Sequence, residues 1–316
     1  MDEFEVIQYL LAHVPAQAEQ LRVGIGDDAA IFAPPVGQEI AVATDSLVLG
    51  THFTEELSAA AIAHRALAVN LSDLAAMGAQ PCWFLLNLSL PTAEASWVKD
   101  FAKGLAALAR RHAVTLIGGD TVRGPLCVGV TAIGYVPTGQ ALQRNGAQPG
   151  DGIFVTGRLG NAGYAWRQLA AGAGWSDTDP LFTAFSLPSP RVQQGLALRD
   201  LATAAIDVSD GLQVDLQRLM SASGLGAELR VEQLPLDPCL IERCGIDRAR
   251  GLAMLGGDDY ELCFTVPMHA AAALQDSARH WDCGLTQIGQ CRAGAGIDLK
   301  LNGRSWSASM EEYQHF

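Results

Sequence analysis

Apolar positions recur along the chain in two rhythms, one helical and one alternating, and the points where each rhythm breaks divide the sequence into elements. Residues 3–12 read as a short helix, followed by a Gly-Ile-Gly-Asp-Asp turn at 24–28 and a brief apolar segment that Pro34-Pro35 stops. Residues 39–45 read as a strand. The next segment, from Ser58 as N-cap to Gly78 as stop, has the length and composition of a helix. Residues 83–90 read as a strand, 94–112 as a helix, and 114–118 and 126–136 as β-branched strand-like runs. Pro137-Thr-Gly139 and the polar Gln143-Arg144-Asn145-Gly146 mark a boundary, which divides the chain into 1–138 and 139–316. Past it, strand 151–157 runs into Gly157, Gly160 and Gly163 and then a helix through Ala170. Helix 190–202, strand 204–208, helix 210–222, strands 227–231 and 260–266, and helix 268–279 complete a second unit. The fold class is α+β, with strands and helices mixed in both halves, and no short repeat period argues for a solenoid.

Composition supports two packed cores. At 316 residues the chain exceeds the usual single-domain size, and 49% hydrophobic against 17% charged residues is too apolar for a disordered chain. The formal charge of −13 argues against a nucleic-acid partner, whose affinity would rest on Lys and Arg. Only three lysines are present (Lys99, Lys103, Lys300), so any phosphorylated ligand would need positive charge from elsewhere, and metal ions supply it. The seven cysteines form no CxxC pair and read as buried reduced thiols. The acidic start (Asp2, Glu3, Glu5) has no secretory pattern, and no apolar stretch is long enough to span a bilayer, so the expected location is cytoplasmic.

The candidate chemistry lies in aspartates placed beside glycines or at element ends: Asp27, Asp28, Asp45, Asp73, Asp120, Asp207, Asp210, Asp258 and Asp259. Any one of them reads equally well as a turn residue, and Asp45 as a solvated strand end. Asp73 is different. On a helical count of roughly 100° per residue it falls between Ile62, Ala66, Val69 and Met77, with Asn70 nearby and with His64 and Arg65 pointing elsewhere. A buried carboxylate there needs a cation or a proton. In Ile206-Asp207-Val208-Ser209-Asp210-Gly211 a strand enters a helix N-terminus, with Ser209 or Asp210 as cap, a position suited to phosphate or metal-phosphate. Gly118-Gly119-Asp120-Thr121 follows a strand, where glycines would let backbone N–H groups approach an anion. The Thr156–Gly163 loop could cradle a phosphate or form a tight turn.

Two familiar phosphate motifs are absent. No Gly-Lys dipeptide exists, which removes the P-loop. Gly24-Ile25-Gly26-Asp27-Asp28-Ala29 satisfies a GxGxxA pattern, but its two carboxylates would meet a pyrophosphate and Pro34-Pro35 leaves no room for the helix. There is also no GxSxG, and His52 and His64 are scattered with the other histidines.

Taken together, Gly24-Ile-Gly-Asp-Asp-Ala29, Ala43-Thr-Asp-Ser-Leu-Val48, Gly50-Thr-His-Phe53, Ala68-Val-Asn-Leu-Ser-Asp-Leu-Ala-Ala-Met-Gly78, Leu116-Ile-Gly-Gly-Asp-Thr121, Ala205-Ile-Asp-Val-Ser-Asp-Gly-Leu212 and Gly256-Gly-Asp-Asp-Tyr-Glu-Leu262 resemble the thiamine-monophosphate kinase family. That family shares a superfamily with aminoimidazole ribonucleotide synthetase and selenophosphate synthetase. The resemblance implies ATP-dependent phosphorylation of thiamine monophosphate by direct, Mg²⁺-assisted in-line transfer without a general base. It implies Mg²⁺ positions at Asp28, Thr44, Asp45, Asp73, Asp120, Asp207 and Asp210, and nucleotide contacts at Gly119, Asp120, Arg144 and Ser209. It further implies thiamine phosphate contacts at His52, Asp258 and Tyr313, and leaves a role for K⁺ open. A homodimer is expected, with N-terminal Mg/ATP-binding halves pairing their sheets into a barrel and the C-terminal α+β domain completing the active site. Two departures stand out: Asp258 replaces the family's Glu, one methylene shorter, and Ala43 replaces a frequent Ser or Thr. Within the superfamily, the alternative is a synthetase that phosphorylates an amide or a selenide. Residues 1–28 lack the Cys and Lys that a selenide enzyme needs. Outside it, the alternative is a non-catalytic nucleotide-binding protein.

Overall fold

The computed structural model describes residues 1–308 except 17, 19 and 175–177. Two compact units divide them: Met1–Leu74 with Ala79–Gln140 and Ser186–Pro188, and Ala75–Gly78 with Ala141–Phe185 and the residues from Ser189 onward. Both units mix helices with sheet.

The first unit begins with α1 (Glu3–His13), which a capping box fixes: the Asp2 carboxylate accepts the Glu5 N–H while Glu5 accepts that of Asp2. A small ribbon, β1 (Leu21–Val23) and β2 (Ile31–Phe32), flanks the acidic turn at 24–28. Four strands then build the main sheet: β3 (Gln38–Val48), β4 (Gln80–Leu90), β5 (Thr115–Arg123) and β6 (Cys127–Pro137), in the order β3-β6-β4-β5. Only β4 and β5 run parallel, and the helix α3 (Ala95–Arg111) connects them, as a parallel crossover requires. On α3 the buried set Val98, Phe101, Ala102, Leu105, Ala106, Leu108 and Ala109 follows the helical period.

Helix α2 (Ala59–Ala76) starts where the Ser58 hydroxyl accepts the Ala61 N–H and Asp100 accepts that of Ala60. Gly104 of α3 has the Ala60 backbone against it, closer than any side chain could tolerate. The polarity expected for α2 is corrected by its burial. Ala63, Arg65, Leu67, Ala68, Leu71 and Leu74 are as buried as Ile62 and Ala66, whereas Met77 is exposed. A helix buried on nearly all sides has no distinct apolar arc, so Asp73's position on the wheel says less than its own half-buried state. Arg65, expected to point away, is 1% exposed.

The second unit carries a seven-stranded sheet, ordered β13-β12-β9-β11-β7-β10-β8. Its elements are β7 (Gly152–Thr156), α4 (Asn161–Ala170), α5 (Pro180–Ser186), α6 (Val192–Leu198), β8 (Ala204–Val208), α7 (Leu212–Ser223), β9 (Gly226–Arg230), α8 (Pro238–Cys244), α9 (Ile246–Leu255), β10 (Glu261–Val266), α10 (Ala271–Ala278), β11 (Leu285–Arg292), β12 (Ile297–Leu301) and β13 (Arg304–Ser305). Strands β7, β8 and β10 are buried at every position, and all pairs but β9–β12 are antiparallel. The helix expected over 190–202 shortens to α6, and the one over 268–279 begins with a 3-10 turn, Met268–Ala270.

Candidate active site

In the first unit, the acidic turn and β5 line one cavity of about 510 Å³, which brings together Asp27, Asp28, Gly119 and Asp120. The Asp28 N–H donates to the Asp27 carboxylate at 2.9 Å, which ties the two consecutive acids together within the turn. The segment Gly118–Thr121, expected to follow a strand, is part of β5 itself and pairs with Leu85–Leu88. Its special backbone is still real: Gly119 has φ 145°, and a Cβ there would collide with the Leu86 carbonyl.

Asp45 and Thr44 lie on β3 at the opposite edge of that sheet. Register places Asp45 beside Val130, Val130 beside Leu86, and Leu86 beside Gly119. Three strand spacings, about 14 Å, therefore separate β3 from β5. The Thr44 hydroxyl donates to the Val130 carbonyl at 3.1 Å and lies 3.0 Å from the Thr131 hydroxyl. His52, in the turn after β3, accepts the Val48 N–H on Nδ1 at 3.1 Å, which leaves its ring proton on Nε2. On α2, Asp73 is half-buried, and one turn before it the fully buried Asn70 donates to the Ala66 carbonyl while its Oδ1 has no hydrogen-bond partner. His64 reads as a core residue: its Nε2 lies 2.9 Å from the Pro188 carbonyl and burial lowers its pKa.

The second unit concentrates acid at the junction of β8 and α7. Asp207 is buried in β8, and Asp210 follows in the turn. The cap expected from Ser209 or Asp210 is not made, because the N-cap is Gly211, without a side-chain bond. A residue the sequence reading passed over does the work instead. Asp215, in the first turn of α7 and 1% exposed, accepts the N–H groups of Ser209, Asp210 and Gly211 on one oxygen, at 3.0, 2.9 and 3.2 Å. The amides of the turn that leads into the helix, the N-cap Gly211 included, are thus already occupied by a carboxylate of the chain itself. Burial, then the charges of Asp210 and Asp207, push the Asp215 carboxyl up to about 7. Arg218 is the nearby counter-charge, 2.5 Å from Asp210 and 2.7 Å from Asp215.

Asp258 lies alongside this junction. Its N–H donates to the Ser209 carbonyl at 2.7 Å and that of Tyr260 to Val208 at 2.9 Å, extending the β8–β10 pairing. Asp258 at φ 63° and Tyr260 at φ 50° are both left-handed, and the Tyr260 hydroxyl donates to Asp258 at 3.1 Å. Such backbone costs about 1–3 kcal/mol per residue and persists only where surroundings enforce it. Half-buried Asp259 enforces it from one side, accepting the Gly160 N–H at 2.8 Å, with desolvation holding its carboxyl well above the usual range. Glu261 enforces it from the other, taking Arg191 at 2.5 Å and the Thr156 hydroxyl at 2.6 Å.

The 156–163 loop resolves as a tight turn rather than a phosphate cradle. Gly157, Leu159 and Gly160 already donate their N–H groups to Gly284, Pro235 and Asp259, and the Glu261 carboxylate fills the space over Gly157. Arg144 is exposed, and its carbonyl accepts the Ser223 hydroxyl. Tyr313 lies outside the described residues. All seven cysteines are free, and burial pushes Cys82 up to about 11 and Cys291 to about 12, so these two thiols stay protonated near neutral pH.

The chemistry of these donors fits Mg²⁺. They are hard oxygen ligands in excess of nearby cations, and Asn70 adds a buried carbonyl oxygen without a partner. Among the described residues no three His, Cys, Asp or Glu side chains gather into a closed metal site. Mg²⁺ ordinarily takes one or two carboxylates, keeps several waters and completes its shell with substrate phosphate, so open donor sets suit it.

Comparison with known proteins fits the same pattern. The AIR synthase related protein N-terminal domain matches residues 26–136 and the C-terminal domain matches 148–302. A thiamine-monophosphate kinase of Escherichia coli K12 is 42% identical over 318 residues, covering 99% of this chain and 98% of the relative. The crystal structure of a thiamine-monophosphate kinase from Stenotrophomonas maltophilia K279a superposes with a TM-score of 0.88 at 43% identity, covering 97% of this chain and 98% of that one. A structure of AaThiL complexed with AMPPCP and TMP has a TM-score of 0.77 at 27% identity, covering 99% and 96%.

Proposed function

The chain belongs to the AIR synthase related family, and from that membership we propose that it transfers the γ-phosphoryl group of ATP to thiamine monophosphate, giving thiamine diphosphate and ADP. Thiamine monophosphate as acceptor is carried by the near full-length similarity to thiamine-monophosphate kinases and by the TMP and ATP-analogue complex of AaThiL. The observation that supports the mode of phosphate handling is the β8–α7 junction, where Asp215 takes the amides of Ser209, Asp210 and Gly211 and the carboxylates of buried Asp207 and half-exposed Asp210 lie in the same short segment. Phosphate is then held there through cations.

Asp28, Thr44, Asp45, Asp73, Asp120, Asp207 and Asp210 would hold several Mg²⁺ ions. When bound, Mg²⁺ neutralises the β- and γ-phosphates and stabilises the charge of the transferring group. Gly119, Asp120, Arg144 and Ser209 are the positions that contact the nucleotide, of which Gly119 and Asp120 line the cavity beside the acidic turn. His52 offers an Nε2–H to the acceptor, and Asp258, held rigid by Tyr260, replaces the longer family Glu; Tyr313 completes the acceptor contacts. No general base is required. The acceptor monoester, with a second pKa of about 6, is already largely dianionic near neutral pH and attacks directly.

A homodimer accompanies this reading. β3 is an eleven-residue edge strand exposing Ile40, Val42 and Val48, and long apolar edges are ordinarily covered by another chain. Pairing two such sheets would close a barrel. Among the described residues no helix is long and apolar enough to cross a membrane, and seven free thiols suit the reducing cytoplasm.

The test is ADP release coupled to a spectrophotometric assay, with ATP, Mg²⁺ and thiamine monophosphate, in K⁺ and then Na⁺ buffers. ADP formation dependent on thiamine monophosphate supports the proposal. Nucleotide binding without turnover would indicate a non-catalytic protein, and turnover only with an amide acceptor a synthetase of the same superfamily.

A further inference from the structure

Arg218 projects from α7 back over the β8–α7 junction, where one guanidinium nitrogen, Nη1, reaches both Asp210, at 2.5 Å, and Asp215, at 2.7 Å. The two carboxylates differ in freedom. Asp215 is 1% exposed and fixed by three backbone N–H groups, so it cannot leave its place, whereas the Asp210 side chain is 38% exposed. Arg218 can therefore give up Asp210 without becoming unpaired, because Asp215 retains it. Its surroundings leave space for this movement: Arg218, itself 45% exposed, lines a cavity of about 680 Å³ shared with Gln213, Asp298 and Trp306.

We propose that Arg218 is a displaceable counter-ion that competes with the divalent cation for the Asp210 carboxylate, an inference that rests on the reading of Asp210 as a metal ligand. In the metal-free protein it neutralises Asp210, and it withdraws onto Asp215 as the cation arrives. An isolated, exposed ion pair contributes at most about 1 kcal/mol, and that is the competition a cation must overcome, about fivefold in affinity.

The experiment is Mn²⁺ binding to the nucleotide-free full chain, followed by the loss of free Mn²⁺ signal in electron paramagnetic resonance. Arg218→Gln should lower the half-saturating Mn²⁺ concentration about fivefold, and Arg218→Lys, which keeps the charge, should stay near wild type. In an Asp210→Asn background the Arg218→Gln effect should vanish, since the carboxylate under competition is gone. A purely structural role for Arg218 would instead lower thermal stability and leave the Mn²⁺ titration unmoved. Equal titrations for wild type and Arg218→Gln, including no binding in either, overturn the proposal, as does a shift that survives in Asp210→Asn. ADP release separates this from the functional reading. A Mn²⁺ shift in a chain with no thiamine monophosphate-dependent turnover removes the kinase reading alone, and normal turnover with no shift removes the Arg218 inference alone.

Discussion

Replacing Asp215 by alanine removes one oxygen that serves three consecutive amides, and the structure allows the loss to be apportioned. Gly211 is buried, so its N–H would be left without water or partner, which costs about 1–3 kcal/mol. Ser209 and Asp210 are half-exposed, so water takes over and each loses only the net worth of a hydrogen bond, about 0.5–1.5 kcal/mol. Against this stands relief: the Asp215 carboxyl is pushed up to about 7 by burial and by Asp210 and Asp207, so its removal lessens crowding of like charge. The net expectation is a loss of about 2–4 kcal/mol for Asp215→Ala, and about half that for Asp215→Asn, which keeps an acceptor oxygen. Urea denaturation measures the loss, and amide hydrogen exchange locates it. Exchange at 209–211 should quicken in the alanine variant while the β10 amides stay protected. An Asp215→Ala protein within about 0.5 kcal/mol of wild type, with unchanged exchange at 209–211, would refute the role given to this carboxylate.

Three further outcomes follow from the same geometry. Asp73→Asn should fold normally by circular dichroism yet lose turnover on the order of 100-fold, with a raised Mg²⁺ requirement; wild-type Mg²⁺ dependence would reduce Asp73 to a structural residue. Burial lowers the His64 pKa below its model-peptide value of 6.5, so the unfolded chain binds the proton more tightly. Stability from this group is complete above pH 6.5 and lost as pH falls through the folded pKa, and His64→Gln should flatten that part of the denaturation profile. Gly104→Ala would drive a methyl into the Ala60 backbone and should cost about 1–3 kcal/mol or more in urea unfolding, without altering the KM for ATP.

The parts of the fold legible in the sequence were those whose rhythm is local. The helices at α1, α2 and α3, and the strands β4, β6, β8 and β10, follow from spacing, caps and β-branched runs, with ends off by a few residues. Helices α5, α8 and α9 and strands β11, β12 and β13 carry weak periodicity and are held by tertiary contact, so they were not anticipated. The glycines of β5 read as a loop because glycine usually ends strands, whereas here Gly119 allows the Leu86 backbone to approach. In the candidate site, the aspartates were visible in sequence because several sit beside glycine (Asp27, Asp120, Asp210, Asp258) and others at element ends. Asp215 was not, since a lone acid in the first turn of a helix looks like an ordinary dipole partner; only coordinates reveal that it turns back on Ser209–Gly211. Nor could helical spacing on α2 reveal that Arg65 is buried.

The central claim is that phosphate is held through metal ions on aspartates rather than by a lysine. The most direct test is turnover of the two diastereomers of ATPβS with Mg²⁺ and then with Cd²⁺. Oxygen is preferred by Mg²⁺ and sulfur by the softer Cd²⁺, so a metal that touches the β-phosphate during transfer should reverse the preference between diastereomers. A preference that stays the same in both metals would contradict metal-bridged binding and return phosphate recognition to protein donors alone.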